Sequence, residues 1–163
     1  MSLNLVQNFS FETGLAPWQT GGPVSSLTTP TAFEGSNVAQ MGPLVVITPG
    51  NAVLSQAFPI DSTAVNMRLS YAIQTIVESI NGDFQTRIRY QRGAVDGYSI
   101  IQEDVLETIQ GGALIPGEWD THVVTSLAIP AEAVQARLRF VLLNGLLGSG
   151  PVLIDEVVIT AED

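Results

Sequence analysis

Cysteine and lysine are both missing from the 163-residue sequence, and histidine occurs only once. The absence of cysteine excludes disulfides, thiolate metal sites and thiolate catalysis. Charged residues make up only 13% of the chain, which is a low share for a globular domain. No uninterrupted apolar run approaches the roughly 18 residues of a membrane-spanning helix. The first residues carry neither a basic n-region nor an apolar h-region, so the sequence predicts no secretory signal.

The length and the charge balance indicate one acidic domain. A chain of this length can bury a core without a disulfide or a structural zinc ion. Sixteen acidic residues against six basic ones give a net charge of −10 at pH 7. Such a surface repels nucleic acids and anionic membranes. We therefore predict a single domain over residues 1–163, with no nucleic-acid partner and no membrane insertion.

Short runs of β-branched and aromatic residues recur along the chain, separated by turn-forming residues such as Asn81-Gly82-Asp83. No helical period extends over a useful window, and Pro130–Val134 is predicted to be a turn. Many short strands without helices are typical of an all-β sandwich or barrel. The predicted strands are Leu44–Ile47, Met67–Thr75, Phe84–Gln91, Thr121–Ile129, Ala136–Leu143 and Val152–Thr160.

The positive charges follow a pattern in three of these strands. Apolar residues alternate with polar ones there, so each strand has an apolar face and a polar face. Five of the six arginines lie on the polar faces, and Arg92 follows just after one of these strands. If the three strands are neighbours in one sheet, the arginines form one positive surface beside several glutamines. This candidate ligand-binding surface consists of Arg68, Gln74, Gln85, Arg87, Arg89, Gln91, Arg137 and Arg139.

Two interpretations of these arginines remain open. Guanidinium groups bind carboxylates, sulfates and phosphates through paired hydrogen bonds, which favours a site for an anionic ligand such as an acidic glycan. Cross-strand ion pairs are also common in sheets and individually weak, so the arginines could instead pair with the protein's own carboxylates. The two interpretations differ in one observable property: a binding face leaves several arginines without a carboxylate within salt-bridge reach.

Motifs at both ends of the chain belong to one recognisable frame. Asn4–Trp18 has a strand-like run that ends in Phe11-Glu12 and is followed by a Gly-x-x-x-Trp turn. Ala32–Ser36 is a small turn with one glycine, and Gly117-Glu118-Trp119 precedes a strand. Val152–Val157 closes the chain with an Ile-Asp-Glu-Val strand. In this order they resemble the galactose-binding-like jelly-roll carbohydrate-binding modules, which implies a jelly-roll β-sandwich of two antiparallel sheets with adjacent chain ends.

The resemblance also implies a structural Ca²⁺, because many of these modules hold one where the first strand, the small turn and the last strand meet. Its side-chain ligands would be Glu12 and Asp155, with backbone carbonyls from Ser10 and from the Phe33–Ser36 turn. Ca²⁺ takes about six to eight oxygen ligands, which carboxylates and loop carbonyls provide. The alternative is that the two carboxylates only cap turns. Ser10 departs from the family pattern, which has glycine there.

The expected function is a non-catalytic binding module of carbohydrate-binding type. Few aromatic residues are free to stack on neutral sugars, because Trp18 and Trp119 resemble structural positions and Tyr71 and Tyr90 lie on apolar faces. Tyr98 is the tyrosine that this interpretation leaves free, so an acidic glycan is the better candidate. The chain also resembles the N-terminal domain of repeat-rich surface proteins of spore-forming bacteria, which implies an extracellular, cell-surface or spore-surface location.

Enzymatic chemistry is not expected. His122 is the single histidine, and the chain has no Gly-x-Ser-x-Gly elbow to present a serine nucleophile. We expect His122 to be a surface or hydrogen-bonded residue. The alternative function is a structural or assembly domain that self-associates as a homo-oligomer, since Met41–Gln56 and Leu142–Ile154 are uncharged and apolar. These two stretches would otherwise be buried core.

Overall fold

The protein folds as a β-sandwich in a computed structural model that describes residues 3–42, 51–75, 83–94, 97–110, 113–143 and 151–162. The described residues form ten strands and no helix. The strands are β1 (Gln19–Gly21), β2 (Val24–Thr28), β3 (Asn37–Met41), β4 (Ala52–Pro59), β5 (Asn66–Thr75), β6 (Asp83–Ala94), β7 (Gly97–Ile109), β8 (Asp120–Ala128), β9 (Gln135–Leu143) and β10 (Val152–Glu162).

The strands form two antiparallel sheets of five strands each. Sheet A has the order β1-β4-β9-β6-β7, and sheet B has the order β2-β3-β10-β5-β8. The jelly-roll sandwich predicted from the sequence is confirmed, as are the strands predicted at β5, β6, β8, β9 and β10 and the turn at Pro130–Val134. The strand predicted at Leu44–Ile47 lies outside the described residues. β1, β2, β3, β4 and β7 were not predicted.

The core lies between the sheets and is built from the apolar faces that alternation predicts. Phe140 of β9 packs edge-on against Tyr71 at 5.1 Å between ring centroids and stacks on Phe84 at 5.8 Å. Tyr71 and Tyr90 are buried, as predicted. Trp18 packs on the same cluster, with 6.3 Å between its ring and that of Phe140. The alternate residues of β6 and β9 therefore point away from the core.

The N-terminal segment runs beside β10 and brings the chain ends together. The Leu5 amide donates to the Ile159 carbonyl at 2.8 Å, and the Val157 amide donates to the Phe9 carbonyl at 2.9 Å. The Asn4 side chain donates to one of these β10 residues and accepts from the other. The prediction of adjacent chain ends is thus confirmed.

The two apolar stretches that suggested self-association are core strands wherever the structure describes them. Leu54 of β4 and Leu142 of β9 have no exposed surface. Residues 43–50 and 144–150 lie outside the described parts of the chain. Within the described parts, burial in the sandwich accounts for the hydropathy of both stretches. No helix long and apolar enough to cross a membrane occurs there.

Candidate functional site

The structure divides the predicted arginine surface between the two sheets. Arg68 and Gln74 lie on β5, which pairs with β10 and β8 in sheet B, whereas β6 and β9 pair with each other in sheet A. The expectation that all three strands are neighbours is therefore wrong for β5. Gln74 is in addition buried, with 4% of its surface exposed. The remaining residues share the outer face of sheet A, and we call this set the arginine face: Gln85, Arg87, Gln91, Arg89, Arg137 and Arg139.

Four arginines of this face form a two-by-two block. Arg87 lies directly opposite Arg139 in the β6–β9 register, and Arg89 lies directly opposite Arg137. Residues opposite each other on one face of an antiparallel pair have Cβ atoms about 4.5–5.5 Å apart, and like charges in such pairs repel. The block therefore needs anions to compensate its charge.

A single carboxylate serves two of the four arginines. Glu103 of β7 lies 3.6 Å from Arg89 Nη2 and 2.5 Å from Arg139 Nη1. Burial by itself raises the pKa of Glu103, but the hydrogen bond and charge of Arg139, followed by the charges of Arg89 and Arg87, lower it overall. Glu103 therefore stays ionised as a counter-ion within the face.

Arg87 and Arg137 have no carboxylate partner among the described residues. Arg87 donates to the side-chain oxygen of Gln85. Arg137 Nη1 donates to Gln19 Oε1 at 2.9 Å and to Ser55 Oγ at 3.2 Å. These two guanidinium groups thus donate to neutral oxygens. A bound anion can replace those oxygens and form stronger hydrogen bonds, because both partners are then charged.

Crowding of positive charge shows in two further properties of the block. Burial lowers the pKa of Arg137, and the charges of Arg89 and Arg139 lower it further. Arg89 Nε is buried and has no hydrogen-bond partner among the described residues. An unsatisfied buried donor costs about 1–3 kcal/mol, and more when it is charged. An anion bound on this face would reduce the repulsion among these charges.

The block borders an open groove on the outer face of sheet A. The groove has a volume of about 470 Å³. We call it the arginine groove. It is lined by Gln19, Thr20, Gly21, Val53, Ser55, Arg89, Gln91, Arg137 and Arg139.

Apolar and aromatic side chains extend this face along the edge strand β7. Tyr98, Ile100 and Val105 are 56%, 57% and 51% exposed. The register places Val105 opposite Arg87 and Ile100 opposite Gln91. The exposure of Tyr98 agrees with the sequence, which left this tyrosine free. The face therefore combines cations with a rim that can contact the apolar side of a sugar ring.

The residues predicted to hold Ca²⁺ meet around one turn on the other side of the molecule. Glu12 accepts the amides of Ser36 at 2.6 Å and Asn37 at 2.8 Å. Asp155 accepts the amide of Glu34 at 2.8 Å and the amide of its own C-terminal neighbour. Gly35 makes this arrangement possible, because a Cβ atom there would lie 1.7 Å from Glu12 Oε1.

These contacts are those expected of carboxylates that cap a turn. Glu12 and Asp155 have no positively charged partner among the described residues. None of the ion pairs among the described residues includes Glu12 or Asp155. Burial raises the pKa of Asp155 to about 6 against the effect of its amide hydrogen bonds, and the nearby Glu12 carboxylate also raises it. The Ser36 carbonyl accepts the Thr29 amide at 2.8 Å. No group of three or more acidic or histidine side chains is arranged for a metal in the described parts, so backbone oxygens would have to complete a site.

Phe33 and Ser10 are two further residues that the sequence predicts to bind Ca²⁺ through their backbone carbonyls. Phe33 packs edge-on against Trp119 at 5.8 Å between ring centroids, and Trp119 Nε1 donates to the Thr31 carbonyl at 2.7 Å. In the first turn, Asn8 at 49° and Phe11 at 59° have positive φ values, and Ser10 does not. Serine therefore replaces the usual glycine at position 10 without backbone strain.

His122 is part of a polar cluster between the two edge strands β7 and β8. Its Nδ1 lies 2.9 Å from Glu107 Oε2, and its ring stacks on Tyr71 at 5.4 Å. The Tyr71 hydroxyl donates to Glu107 Oε1 and accepts from the buried Thr86 hydroxyl, both at 3.0 Å. The prediction of a hydrogen-bonded histidine is confirmed. Sequence reasoning missed Glu107, because only the packing of sheet A on sheet B brings it to His122.

The fold has counterparts among solved structures. No protein-family model and no curated protein sequence matches the chain. A family 61 carbohydrate-binding module in complex with β-1,4-galactotriose is 16% identical, with a TM-score of 0.64 over 99% of this chain and 100% of the other. A family 22 xylan-binding domain is 16% identical, with a TM-score of 0.62 over 97% and 95%.

An enzyme shares the same architecture. A Stig cyclase from Fischerella sp. TAU is 21% identical, with a TM-score of 0.63 over 99% of this chain and 98% of the other. Identities this low establish the fold and leave function to the residues of the site. The chain has the same jelly-roll β-sandwich fold as these carbohydrate-binding modules.

Proposed function

We propose that this protein is a non-catalytic carbohydrate-binding module that binds acidic glycans on the arginine face. One observation carries the proposal: among the described residues, four arginines form a block that contains a single carboxylate, in a chain whose net charge is −10. Arginines that served only the protein's own carboxylates would each have an acidic partner. Arg87 and Arg137 bind neutral side-chain oxygens instead.

The chemistry of the face suits a uronic acid or a sulfated sugar. A guanidinium fork binds a carboxylate or sulfate through two parallel hydrogen bonds, and partial burial strengthens them. Gln91 and Gln19 offer amide groups to sugar hydroxyls, and Tyr98 offers a ring at the rim. The overall negative charge disfavours long-range attraction of polyanions, so affinity depends on these short contacts.

The same face gives little support to hydrolysis of a glycan. Glycoside hydrolysis uses a pair of carboxyl groups about 5–9.5 Å apart, one of which must be protonated. Glu103 is the acidic residue placed among the four arginines, and its lowered pKa keeps it ionised. This supports a binding role without catalysis. Modules of this kind act on polysaccharides outside the cell, so we propose an extracellular, cell-surface or spore-surface location.

A structural Ca²⁺ is a second part of the proposal. Asp155 has no exposed surface and no positively charged partner within the described structure, and a divalent cation would compensate its charge and that of Glu12. These two side chains, with carbonyl oxygens of Ser10 and the Phe33–Ser36 turn, would hold the ion and join the N-terminal segment to β10. Ca²⁺ should raise Tm relative to a chelator, and Asp155→Asn should abolish that rise. An unchanged Tm in wild type would exclude the ion.

The binding proposal is tested with a panel of polysaccharides. Purified protein in Ca²⁺ is assayed by calorimetry against polygalacturonate, a sulfated glycosaminoglycan, xylan and galactan, each at low and moderate salt. Arg87→Gln and Arg137→Gln each remove a cation from the face, whereas Arg68→Gln makes the same charge change on sheet B. We expect salt-sensitive binding of the acidic polymers, weakened about tenfold or more by either face variant and unchanged by Arg68→Gln.

Two outcomes would overturn the proposal. Absence of binding across the panel would exclude an acidic-glycan module, and equal losses in all three arginine variants would show that only net charge matters. Binding of xylan or galactan without any contribution from the arginines would leave a carbohydrate-binding module, but one for neutral glycans.

A further inference from the structure

A second groove continues from the arginine groove along the free edge of β4, between this strand and the N-terminal segment. It has a volume of about 320 Å³, and its walls include the side chains of Gln7, Gln56, Pro17 and Pro59. Both grooves share two lining residues, Gln19 and Arg137. Each volume is near the lower end of ligand pockets, which span roughly 300–1,000 Å³. Each groove therefore suits a short piece of a glycan.

The boundary between the grooves is a hydrogen-bonded pair that a ligand can reach from both sides. Arg137 of β9 donates to Gln19 of β1 at 2.9 Å, reaching across β4, where Ser55 also accepts from it at 3.2 Å. Arg137 is one of the two face arginines without a carboxylate among the described residues. Its guanidinium can therefore bind an anion that sits at the junction.

The path through both grooves follows strand β4. Val53 and Ser55 line the arginine groove, and residues from Gln56 to Pro59 line the second groove. A strand rises about 3.3 Å per residue, so the path extends roughly 20 Å. That length exceeds a single sugar ring, which favours an internal stretch of a polysaccharide over a terminal sugar.

The two grooves differ in charge. The arginine groove has three cations on its walls, whereas the second groove has only the shared Arg137 and otherwise amides and apolar groups. Gln56 is fixed by accepting the Gln7 amide at 2.7 Å and donating to the Gln7 carbonyl at 3.0 Å. Gln56 is thus bonded to the Gln7 backbone and only 5% exposed, so the exposed Gln7 residue provides the amide that can bind hydroxyl and acetamido groups, and proline rings can pack on the C–H face of a sugar. A carboxylate placed there would be desolvated without a cation of its own.

We infer that the ligand is an acidic heteropolysaccharide in which anionic sugars alternate with neutral ones, bound internally along β4. This inference rests on the proposed function and specifies its substrate class. An anionic unit occupies the arginine groove, and the neighbouring neutral unit occupies the second groove. A homopolymer of uronic acid places one carboxylate too many in the uncharged groove and binds less tightly.

The test compares hyaluronan oligosaccharides, which alternate glucuronic acid and N-acetylglucosamine, with oligogalacturonates of two to eight sugars. We expect affinity for hyaluronan to rise about tenfold between two and six sugars and then to level off, and to exceed that of oligogalacturonate of equal length. Pro59→Trp narrows the second groove two residues along β4 from the position opposite Arg137, and it should abolish the gain with length while leaving disaccharide binding intact. Gln7→Glu is a second probe of the same groove, with Gln110→Glu as its charge-matched control.

The outcomes separate this inference from the proposed function. Arginine-dependent binding that does not change with length, or that Pro59→Trp and Gln7→Glu leave untouched, overturns the path along β4 and keeps the acidic-glycan module. Tighter binding of oligogalacturonate overturns the alternating ligand. Absence of all acidic-glycan binding overturns both.

Discussion

The outer faces of the two sheets have the same strand alternation but differ in how far their polar residues are exposed to solvent. On sheet A the polar residues of β6 and β9 stay half-exposed and border two grooves. On sheet B, Gln40, Leu153 and Gln74 form a cross-strand row in which each residue is at most 6% exposed. Beside that row, the Gly117 amide donates to the Thr75 carbonyl at 2.9 Å and ties the segment before β8 to the end of β5. A polar strand face becomes a candidate site only where its side chains stay exposed.

The two sides of the sandwich should contribute to different properties, one to stability and the other to binding. The sheet B side carries the 34–37 turn, into which Glu12 and Asp155 direct their carboxylates. The sheet A side carries more cations than the carboxylates of the described residues neutralise. Changes at the turn should therefore affect stability with little effect on binding, and changes at the arginine face should do the reverse.

Of the predicted changes, Gly35→Ala should have the largest effect, which is a loss of folding stability. The new Cβ would lie 1.7 Å from Glu12 Oε1 at a residue with φ of +66°. Glu12 would be displaced from two amides in a conformation that alanine adopts only with strain. We expect a loss of about 2–4 kcal/mol in unfolding free energy, seen as a Tm lower by roughly 5–10 °C.

Gly93→Ala is the matched control for this change. Gly93 lies on β6, has no neighbouring atom within 4 Å of a built Cβ and has no positive φ. Its Tm should stay close to that of wild type. Acidic-glycan affinity of Gly35→Ala, measured below its Tm, should be unchanged. A loss of affinity as large as the loss of stability would mean that the two sides of the sandwich are coupled.

The sequence placed side chains on faces correctly and could not place strands in sheets. Alternation put Arg87, Arg89, Arg137 and Arg139 on polar faces, as the structure has them. The same alternation put Arg68 with them, because a period of two says nothing about which strands are neighbours. Strand order depends on long-range pairing, and no local pattern records it.

The partners of the arginines were missed for a related reason. β7 supplies Glu103, but its sequence does not alternate cleanly because the β6–β7 register shifts between Thr86 and Arg87 and again between Tyr90 and Gln91. β1 supplies Gln19 from a strand of only three residues. Bulges and very short strands carry weak sequence signals. The cations of the site and Gln85, the partner of Arg87, were therefore predictable, whereas Glu103 and Gln19 were not.

Glu103→Gln should move stability and binding in opposite directions. It keeps the size and hydrogen-bonding ability of the side chain and removes the counter-ion of Arg89 and Arg139. We expect a stability loss of about 1 kcal/mol from arginine repulsion, with acidic-glycan affinity higher by about threefold or more because the ligand no longer competes with Glu103.

Glu132→Gln is the control, since Glu132 pairs with Arg92 where both side chains are more than half exposed. It should change neither quantity measurably. Chemical denaturation and calorimetry give the two readouts. Weaker binding by Glu103→Gln would show that Glu103 orients the arginines for the ligand rather than competing with it.

The pH dependence of stability should show the smallest effect. It tests the charge of the Glu103 carboxylate. The pKa of Glu103 is lowered from its ordinary value of 4.5 in the folded protein. A group whose pKa is lowered by folding stabilises the protein above its unfolded pKa, and this contribution is lost as the pH falls through the folded pKa. The difference in unfolding free energy between wild type and Glu103→Gln should therefore be full at pH 6 and shrink as the pH falls below about 4.5. A difference that stays constant down to pH 3 would mean that the arginine block does not depend on the charge of Glu103.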